Sequence, residues 1–111
     1  MNRYCLALDL KDDASLIAEY DRYHQEVWPS VLDSLRDCGI VEMKIYRTGN
    51  RLTMLITTTD DFSFERKKQM DESNPEVQRW ETLMSTLQQR IPWAEPGVKW
   101  VLLKEVFSFT A

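Results

Sequence analysis

The sequence predicts an α+β fold in which two helical regions cover one face of a four-stranded antiparallel sheet. Strand-like alternation occurs in residues 3–10, 40–47, 51–58 and 99–107, and helical periodicity occurs in residues 15–39 and 60–87. The order strand, helix, strand, strand, helix, strand is the split βαβ pattern of a ferredoxin-like sandwich. A chain of 111 residues is one domain, so we assign residues 1–111 to a single unit.

The first helical region follows a strand whose side chains alternate between Leu6 and Leu8 on one face and Cys5 and Ala7 on the other. Its apolar positions have the spacing of an amphipathic helix. They are Leu16, Tyr20, His24, Val27, Trp28, Val31, Leu32 and Leu35.

Local signals mark the ends of that region. An acidic residue before it, or Ser15, is expected to cap the helix. Pro29 lies inside the helical pattern and lacks a backbone donor, which predicts a kink or restart near Trp28–Pro29. Gly39 follows the last periodic residue and is typical of the position after a helix C-cap.

The next two strands form a predicted hairpin through Thr48–Gly49–Asn50. In the first of them Val41, Met43 and Ile45 are expected to share a face. The second helical region is expected to start at Asp60–Asp61 and to break at Ser73–Asn74–Pro75. There Asn74 suits the N-cap and Pro75 the first helical position.

The last predicted strand, residues 99–107, is apolar on both faces, as are the other strands. The helices cover only one face of the sheet, so the other face needs an apolar partner. A second copy of the same sheet is the economical partner, and it would give a two-fold homodimer with a barrel-like core.

Composition excludes several classes of function. The net charge is −4 and basic residues form no long run, which argues against a nucleic-acid partner. No apolar stretch approaches the ~20 residues that a membrane span needs. The first residues are too short and too alternating for a signal peptide, so we expect a cytoplasmic protein. Two isolated cysteines and one histidine predict neither a disulfide framework nor a zinc site.

Tyr20 and His24, the only histidine in the chain, lie one helical turn apart on the apolar side of the first helix. Two interpretations stand. Both side chains are buried and hydrogen-bonded to the backbone, or His24 is a general acid/base that lines a pocket between helix and sheet. An imidazole changes its charge near neutral pH, which suits proton transfer.

The four tryptophans, Trp28, Trp80, Trp93 and Trp100, also allow two interpretations. Most tryptophans fill a core or an interface. The alternative is a stacking platform for the apolar face of a sugar or for a flat cofactor. Trp80 is the candidate of most interest, because Glu81 places a carboxylate beside it.

Several segments together resemble the L-rhamnose mutarotase family over nearly the whole chain. They are Tyr20-x-x-x-His24-x-x-x-Trp28-Pro29, Gly39, Ile45–Tyr46, Gln78–Arg79–Trp80 and Glu105–Val106–Phe107. The resemblance implies a dimeric α/β-barrel built from ferredoxin-like subunits. It also implies an isomerase that interconverts the α and β anomers of a 6-deoxy sugar without a metal or organic cofactor.

The resemblance also implies roles for particular residues. His24 corresponds to the family's proton donor, Tyr20 to a sugar-contacting tyrosine, and Trp80 to the first of two adjacent sugar-contacting tryptophans. Glu81 replaces the second tryptophan, and Met43 replaces a further tyrosine. The expected substrate-binding set is therefore Tyr20, Met43, Trp80 and Glu81. The two replacements favour a sugar with differently placed hydroxyls, for which L-fucose is our first candidate and L-rhamnose our second.

Two other functions fit the same architecture. Cofactor-independent monooxygenases and haem-degrading enzymes use it, and a lone helical histidine among tryptophans could serve haem. A non-catalytic ligand-binding module is the third alternative. Fold alone does not separate these functions, since this sandwich hosts many.

Overall fold

The computed structural model describes residues 1–111 and confirms the predicted α+β fold. Each predicted helical region consists of two helices. In chain order the elements are β1 (Asn2–Leu10), α1 (Ala14–Tyr23), α2 (Pro29–Asp37), β2 (Ile40–Thr48), β3 (Arg51–Thr58), α3 (Phe64–Glu72), α4 (Pro75–Ser85), β4 (Gln88–Gln89) and β5 (Val101–Leu102). The sheet runs in the order β2, β3, β1, and the short strands β4 and β5 both pair with β1 antiparallel.

The helix boundaries in the first half of the chain follow from capping chemistry. The Asp13 carboxylate accepts hydrogen bonds from the backbone N–H groups of Ser15 and Leu16, which confirms the acidic cap of α1. Helix α1 ends at Tyr23, and α2 begins with Pro29 in its first turn. The predicted restart at this proline is confirmed, and residues 24–28 connect the two helices.

Two glycines make the turns that the sequence predicts. Gly39 has φ +97° directly after α2, a left-handed conformation that L side chains rarely adopt. A Cβ at this position would lie 2.7 Å from the Thr59 hydroxyl oxygen, so space as well as conformation requires glycine. Gly49 has φ +55° in the two-residue hairpin loop between β2 and β3.

The second helical region begins later than its acidic pair suggests. Helix α3 starts at Phe64, because the Ser63 hydroxyl accepts a hydrogen bond from the Arg66 N–H and caps it. The expected start at Asp60–Asp61 is wrong by a few residues. Asn74 caps α4 through the N–H groups of Glu76 and Val77, as predicted.

The core fills the space between the helices and one face of the sheet. It consists of two clusters of buried side chains. The first contains Leu10, Tyr20, Val31, Leu52, Trp80, Met84 and Leu87. The second contains Leu6, Cys38, Ile40, Met54, Ile56 and Phe62. Ile45 and Trp100 contact both clusters and join them.

The face assignment in β2 needs one correction. The pairing with β3 shifts between Ile40 and Glu42, which is a bulge. Val41 is the extra residue and is 53% exposed, while Ile40 is buried in the second cluster. Met43 and Ile45 face the helices as expected, but Val41 does not share their face.

The last strand is much shorter than residues 99–107. Leu6 and Ala7 of β1 pair with Leu102 and Val101, and the Leu103 N–H donates to the Cys5 carbonyl at 2.8 Å. Residues 103–111 have no regular secondary structure and are exposed. The apolar alternation is present there, but no other strand of the same chain pairs with it.

The sheet face away from the helices is partly covered by the chain itself. Ala7 packs against Ile91 and Ala94 of the segment after β4. The half nearer β2 stays open, with Leu55 42% and Tyr46 55% exposed. This half keeps the apolar character that led us to expect a second copy. No helix has the length and apolar content to cross a membrane.

Candidate active site

Five aromatic rings meet where α1 ends and faces α4. They form what we call the aromatic cluster: Tyr20, Tyr23, His24, Trp28 and Trp80. The Tyr20 and His24 rings stack with centroids 4.2 Å apart. Trp80 presents its ring edge-on to three neighbours, His24 at 5.5 Å, Trp28 at 5.2 Å and Tyr23 at 6.4 Å. Trp80 is therefore the common neighbour that holds the other rings in place.

His24 is the C-cap of α1, and its ring is anchored by the helix that it ends. The Nδ1 atom lies 2.9 Å from the backbone carbonyl oxygen of Tyr20. A carbonyl oxygen can only accept, so Nδ1 carries a hydrogen and Nε2 is the nitrogen left for a ligand. His24 is half-buried. The structure thus combines both interpretations, because one nitrogen is satisfied by the backbone and the other is free.

Tyr20 is 3% exposed and belongs to the first core cluster. Burial raises the pKa of its phenol well above the ordinary value, and the negative charges of Asp21 and Glu81 raise it further. The hydroxyl therefore keeps its proton throughout the neutral and mildly alkaline range. In chemical terms Tyr20 is a hydrogen-bond donor and not a base.

Glu81 follows Trp80 on α4 and is held by a lysine that sequence reasoning missed. Its Oε2 atom lies 3.2 Å from the Lys99 Nζ atom, which also donates to the Ser85 hydroxyl and the Glu81 carbonyl. Lys99 precedes β5 and lies 18 residues away in the chain. Only the return of the chain to β1 brings it here, so no local sequence signal could have found it.

Met43 lies apart from the other predicted site residues. It packs at the edge of the second core cluster, whereas Tyr20 and Trp80 belong to the first. The structure therefore brings together His24, Tyr20 and Trp80, with Glu81 next in the chain. Met43 packs against the second cluster, which Ile45 and Trp100 join to the first.

An open depression of about 550 Å³ lies at the connection between α1 and α2. Tyr23 and Trp28 of the aromatic cluster line it. The other lining residues are Arg22, Gln25, Glu26, Val27 and Pro29. We expected a pocket between helix and sheet, but this hollow opens at the connection between the two helices, and His24, Tyr20 and Trp80 are not among its lining residues. No three histidine, cysteine, aspartate or glutamate side chains converge to hold a metal ion.

The arrangement can bind the apolar face of a small polar molecule and exchange protons with it. Aromatic rings can stack on the apolar face of a sugar, and an imidazole nitrogen and a carboxylate are groups that can serve acid/base chemistry. Comparison with known proteins identifies the family. A family model described as L-rhamnose mutarotase matches residues 3–109, and the chain belongs to this family.

One relative by sequence and one solved structure are similar to this chain over nearly its whole length, the second in fold. An L-fucose mutarotase from Xanthomonas campestris pv. campestris is 44% identical over 112 residues, which cover 99% of this chain and 90% of the relative. The crystal structure of an L-rhamnose mutarotase from Formosa agariphila superposes with a TM-score of 0.72 and 22% identity, covering 99% of this chain and 100% of the other.

A dimeric ferredoxin-like protein from an uncultured marine organism superposes with a TM-score of 0.52 and 9% identity over 97% of this chain and 91% of the other. This likeness concerns the fold alone. The family assignment confirms the predicted class, a mutarotase and hence an isomerase. It favours that class over the monooxygenase, haem-degrading and non-catalytic alternatives.

Proposed function

We propose that this mutarotase interconverts the α and β anomers of L-fucose at the aromatic cluster. The observation that supports this most directly is the His24 ring, which has Nδ1 fixed on the Tyr20 carbonyl and Nε2 free. An acid/base group held in one orientation is what hemiacetal opening needs. No cofactor enters the proposal.

Sugar binding is proposed to use stacking and a small number of polar groups. The apolar C–H face of a pyranose packs well on indole and phenol rings, which Trp80 and Tyr20 offer. Glu81 would accept hydrogen bonds from sugar hydroxyls. Met43 is proposed to be an indirect neighbour of the sugar, because it contacts the second core cluster and not the aromatic cluster.

The choice of L-fucose rests on two supports. The resemblance to the family implies that Glu81 replaces an aromatic residue, which would alter a wall that meets the sugar hydroxyls, and that Met43 replaces another one farther from the aromatic cluster. The relative from Xanthomonas campestris, 44% identical, is named an L-fucose mutarotase. L-rhamnose is the second candidate, because the matching family model carries that name.

The reaction requires two proton transfers and the breaking of one bond. The anomeric hydroxyl loses its proton while the bond between C1 and the ring oxygen breaks, and the ring oxygen gains a proton. His24 is proposed to act in its doubly protonated form, in which Nδ1–H stays on the Tyr20 carbonyl and the second proton is on Nε2. Nε2 gives this proton to the ring oxygen and takes it back when the ring closes. The open aldehyde then rotates about its C1–C2 bond and recloses by the reverse transfers, which gives the other anomer.

Glu81 is our candidate for accepting the proton of the anomeric hydroxyl. Tyr20 is a poor candidate, because its raised pKa keeps the phenol protonated. The Lys99 ammonium at 3.2 Å holds the Glu81 carboxylate in place by a charge-assisted hydrogen bond. A bound water is the alternative acceptor if Glu81 serves in binding only.

His24→Asn tests the assignment, because asparagine keeps a polar side chain of similar size but cannot shuttle a proton. We expect the enzyme-catalysed anomer exchange of L-fucose, measured by saturation-transfer NMR, to fall about 10²–10⁴-fold. Gln69→Asn on the exposed side of α3 is the control. Exchange within threefold of the wild type in His24→Asn would remove this residue from the mechanism. The same anomer-exchange measurement with L-rhamnose shows which of the two sugars the wild-type enzyme prefers.

We further propose that the protein is a homodimer. The half-open apolar face of the sheet around Leu55 and Tyr46 supports this assembly. The ferredoxin-like protein of the same fold is described as dimeric. The cytoplasmic location of the mutarotase described here stays a prediction from the sequence.

A further inference from the structure

The sheet edge beside β1 is interrupted, and a pocket lies at the interruption. Strand β4 pairs with residues 9–10 of β1, and strand β5 pairs with residues 6–7. Leu8 lies between these two pairings and has no partner on this side, because residues 90–100 leave the sheet after β4 and return at β5. A pocket of about 270 Å³, which we call the edge pocket, has Leu8 in its wall.

The edge pocket is distinct from the candidate active site. Its lining residues are Leu8, Ser85, Gln88, Arg90, Gly97, Val98 and Lys99. None of them belongs to the aromatic cluster or to the depression between α1 and α2. Two of the lining side chains are cations and none is a carboxylate, so the pocket favours a negatively charged ligand.

Arg90 is a cation without a carboxylate partner. It takes part in none of the ion pairs of the structure. Its Nη2 atom donates to the Ala94 carbonyl oxygen at 2.9 Å, which holds the guanidinium in place. A guanidinium has five N–H donors in a planar fork, and a fork of this kind matches the two oxygens of a carboxylate. Arg90 can therefore anchor such a group.

Lys99 adds charge to the edge pocket but no free donor. An ammonium has three N–H groups. In Lys99 they meet the Glu81 carboxylate, the Glu81 carbonyl oxygen and the Ser85 hydroxyl. The ligand's negative charge is therefore bound directly by Arg90, with Lys99 as a second positive charge in the same wall.

Gln88 supplies an acceptor that nothing in the chain satisfies. Its Oε1 atom is buried and has no hydrogen-bond partner. Gln88 lies opposite Leu10 in the β1–β4 pairing and also lines the edge pocket. A buried acceptor without a donor is unfavourable, and an amide oxygen can only accept. A ligand that satisfies it must bring a donor such as a hydroxyl group.

We propose that the edge pocket binds a small hydroxycarboxylate. The carboxylate is bound by Arg90, and the hydroxyl donates to Gln88 Oε1. The pocket is smaller than the range of about 300–1,000 Å³ that is typical for drug-sized ligands, so the ligand is small. The inference goes beyond the proposed function, because neither Arg90 nor Gln88 takes part in the proposed anomer exchange.

NMR titration of the full-length, nitrogen-15-labelled protein tests the ligand class. Glycolate carries both groups, and acetate lacks the hydroxyl. We expect glycolate to shift the Gln88 side-chain amide and the Gly97 backbone amide with saturation, and to bind about fivefold more tightly than acetate, the effect of one hydrogen bond. Glycolate that leaves both signals unmoved, or that binds no better than acetate, would overturn the proposal.

Two variants separate the roles of the cation and the amide. Arg90→Met should raise the dissociation constants of glycolate and acetate by about fivefold or more, because the charge-assisted bonds are lost. Gln88→Leu should abolish the preference for glycolate and change the binding of acetate less than about twofold. The controls are Arg3→Met, at an exposed arginine on β1, and Gln89→Leu, at the exposed neighbour of Gln88. Wild-type glycolate binding in either test variant contradicts the proposed contacts.

Two further probes examine how selective and how separate the edge pocket is. Inorganic phosphate should bind more weakly than glycolate, and tighter binding of phosphate would indicate a simple oxyanion site instead. L-fucose should not displace glycolate. Displacement would make the edge pocket part of the sugar site and overturn the inference. The proposed function is judged separately, because a protein without anomer exchange that still binds glycolate would overturn the mutarotase mechanism alone.

Discussion

The contact between the His24 ring and the Tyr20 carbonyl decides which ring nitrogen is available to a ligand. The Tyr20 carbonyl oxygen accepts two hydrogen bonds from the same residue, one from the His24 backbone N–H at 3.3 Å and one from the ring Nδ1 at 2.9 Å. A carbonyl oxygen has two lone pairs, so it can accept both, and the second bond fixes the tautomer of the ring. The spacing of Tyr20 and His24 in the sequence predicted that they share a face. It did not predict that the ring would turn back onto the backbone of its own helix.

Tyr20 should make the protein sensitive to alkali. In the unfolded chain it ionises near its ordinary pKa of 10.0, whereas burial keeps it protonated in the fold. Its contribution to stability is therefore complete below about pH 10 and is lost as pH rises toward the folded pKa. The free energy of unfolding should fall by about 1.4 kcal/mol per pH unit from this group. Urea denaturation from pH 9 to 11 measures it.

Tyr20→Phe should remove this decrease in the free energy of unfolding with rising pH. Tyr46→Phe, at an exposed position on β2, should keep it. If wild type and Tyr20→Phe lose stability equally fast above pH 10, burial of the phenol does not cause the alkaline loss.

Lys99 is expected to act as a positioning residue for Glu81. Replacing it by methionine removes the ammonium that holds the carboxylate, and Lys99→Arg keeps the charge. We expect Lys99→Met to lower kcat/KM for L-fucose by up to about fivefold, the size of one exposed ion pair, and Lys99→Arg to restore most of it. A fall in kcat supports Glu81 as the proton acceptor, while a rise in KM alone supports a binding role.

Lys68→Met, at an exposed position on α3, is the matched control for loss of a lysine charge. Wild-type kcat and KM in Lys99→Met would show that the ion pair has no part in the reaction.

At the scale of elements, helix boundaries were predicted from capping residues and helix-breaking residues. Asp13, Pro29, Gly39 and Asn74 mark boundaries that the structure confirms, because each acts through local backbone chemistry. The bulge at Val41 and the late start of α3 were missed. Both depend on neighbours that are distant in sequence or on a competing cap, Ser63, that propensity alone does not rank.

Gly39 and Gly49 offer a comparison of strain with and without a clash. Both have positive φ, but an added Cβ at Gly49 would meet nothing within 4 Å, whereas at Gly39 it would lie 2.7 Å from the Thr59 hydroxyl oxygen. The left-handed conformation alone should cost about 1–2 kcal/mol. Gly39→Ala should therefore be destabilised more than Gly49→Ala, by about 1 kcal/mol or more. Chemical denaturation measures the difference.

The extra loss of stability in Gly39→Ala relative to Gly49→Ala should shrink when Thr59 is also changed to alanine, because the clashing oxygen is then absent. A double-mutant cycle separates this coupling from the loss of the Thr59 bond to Asp61. Equal losses of stability in Gly39→Ala and Gly49→Ala would mean that the segment around Thr59 moves aside at no cost in free energy.

For the whole molecule, the order of periodic segments was enough to predict the ferredoxin-like arrangement. The extent of the last strand was not predictable, since apolar alternation in residues 99–107 is the same whether the partner strand belongs to one chain or to two. The proximity of the candidate site residues was likewise predicted only in part. His24, Tyr20 and Trp80 meet as expected, but Lys99 arrives through tertiary folding and Met43 packs elsewhere.

The sheet face around Leu55 should make a measurable contribution to assembly. Leu55→Lys changes a side chain that is 42% exposed in the single chain, so the subunit itself should fold normally. We expect the dimer to weaken by about tenfold or more, since a buried unpaired charge opposes association. Sedimentation or light scattering at several concentrations measures this. Leu32→Lys on α2, 38% exposed, is the matched control. Equal dissociation constants for the two variants would place the interface away from this face.

The exposed C-terminal segment, residues 103–111, has a cost during synthesis and storage. Val106, Phe107 and Phe109 are exposed to water in the single chain, and segments of this kind seed aggregates when they pair with the wrong strand. Lys104 and Glu105 precede them directly and place two charges beside the apolar side chains. Loss of those two charges should therefore lower the protein concentration at which a stored preparation begins to precipitate.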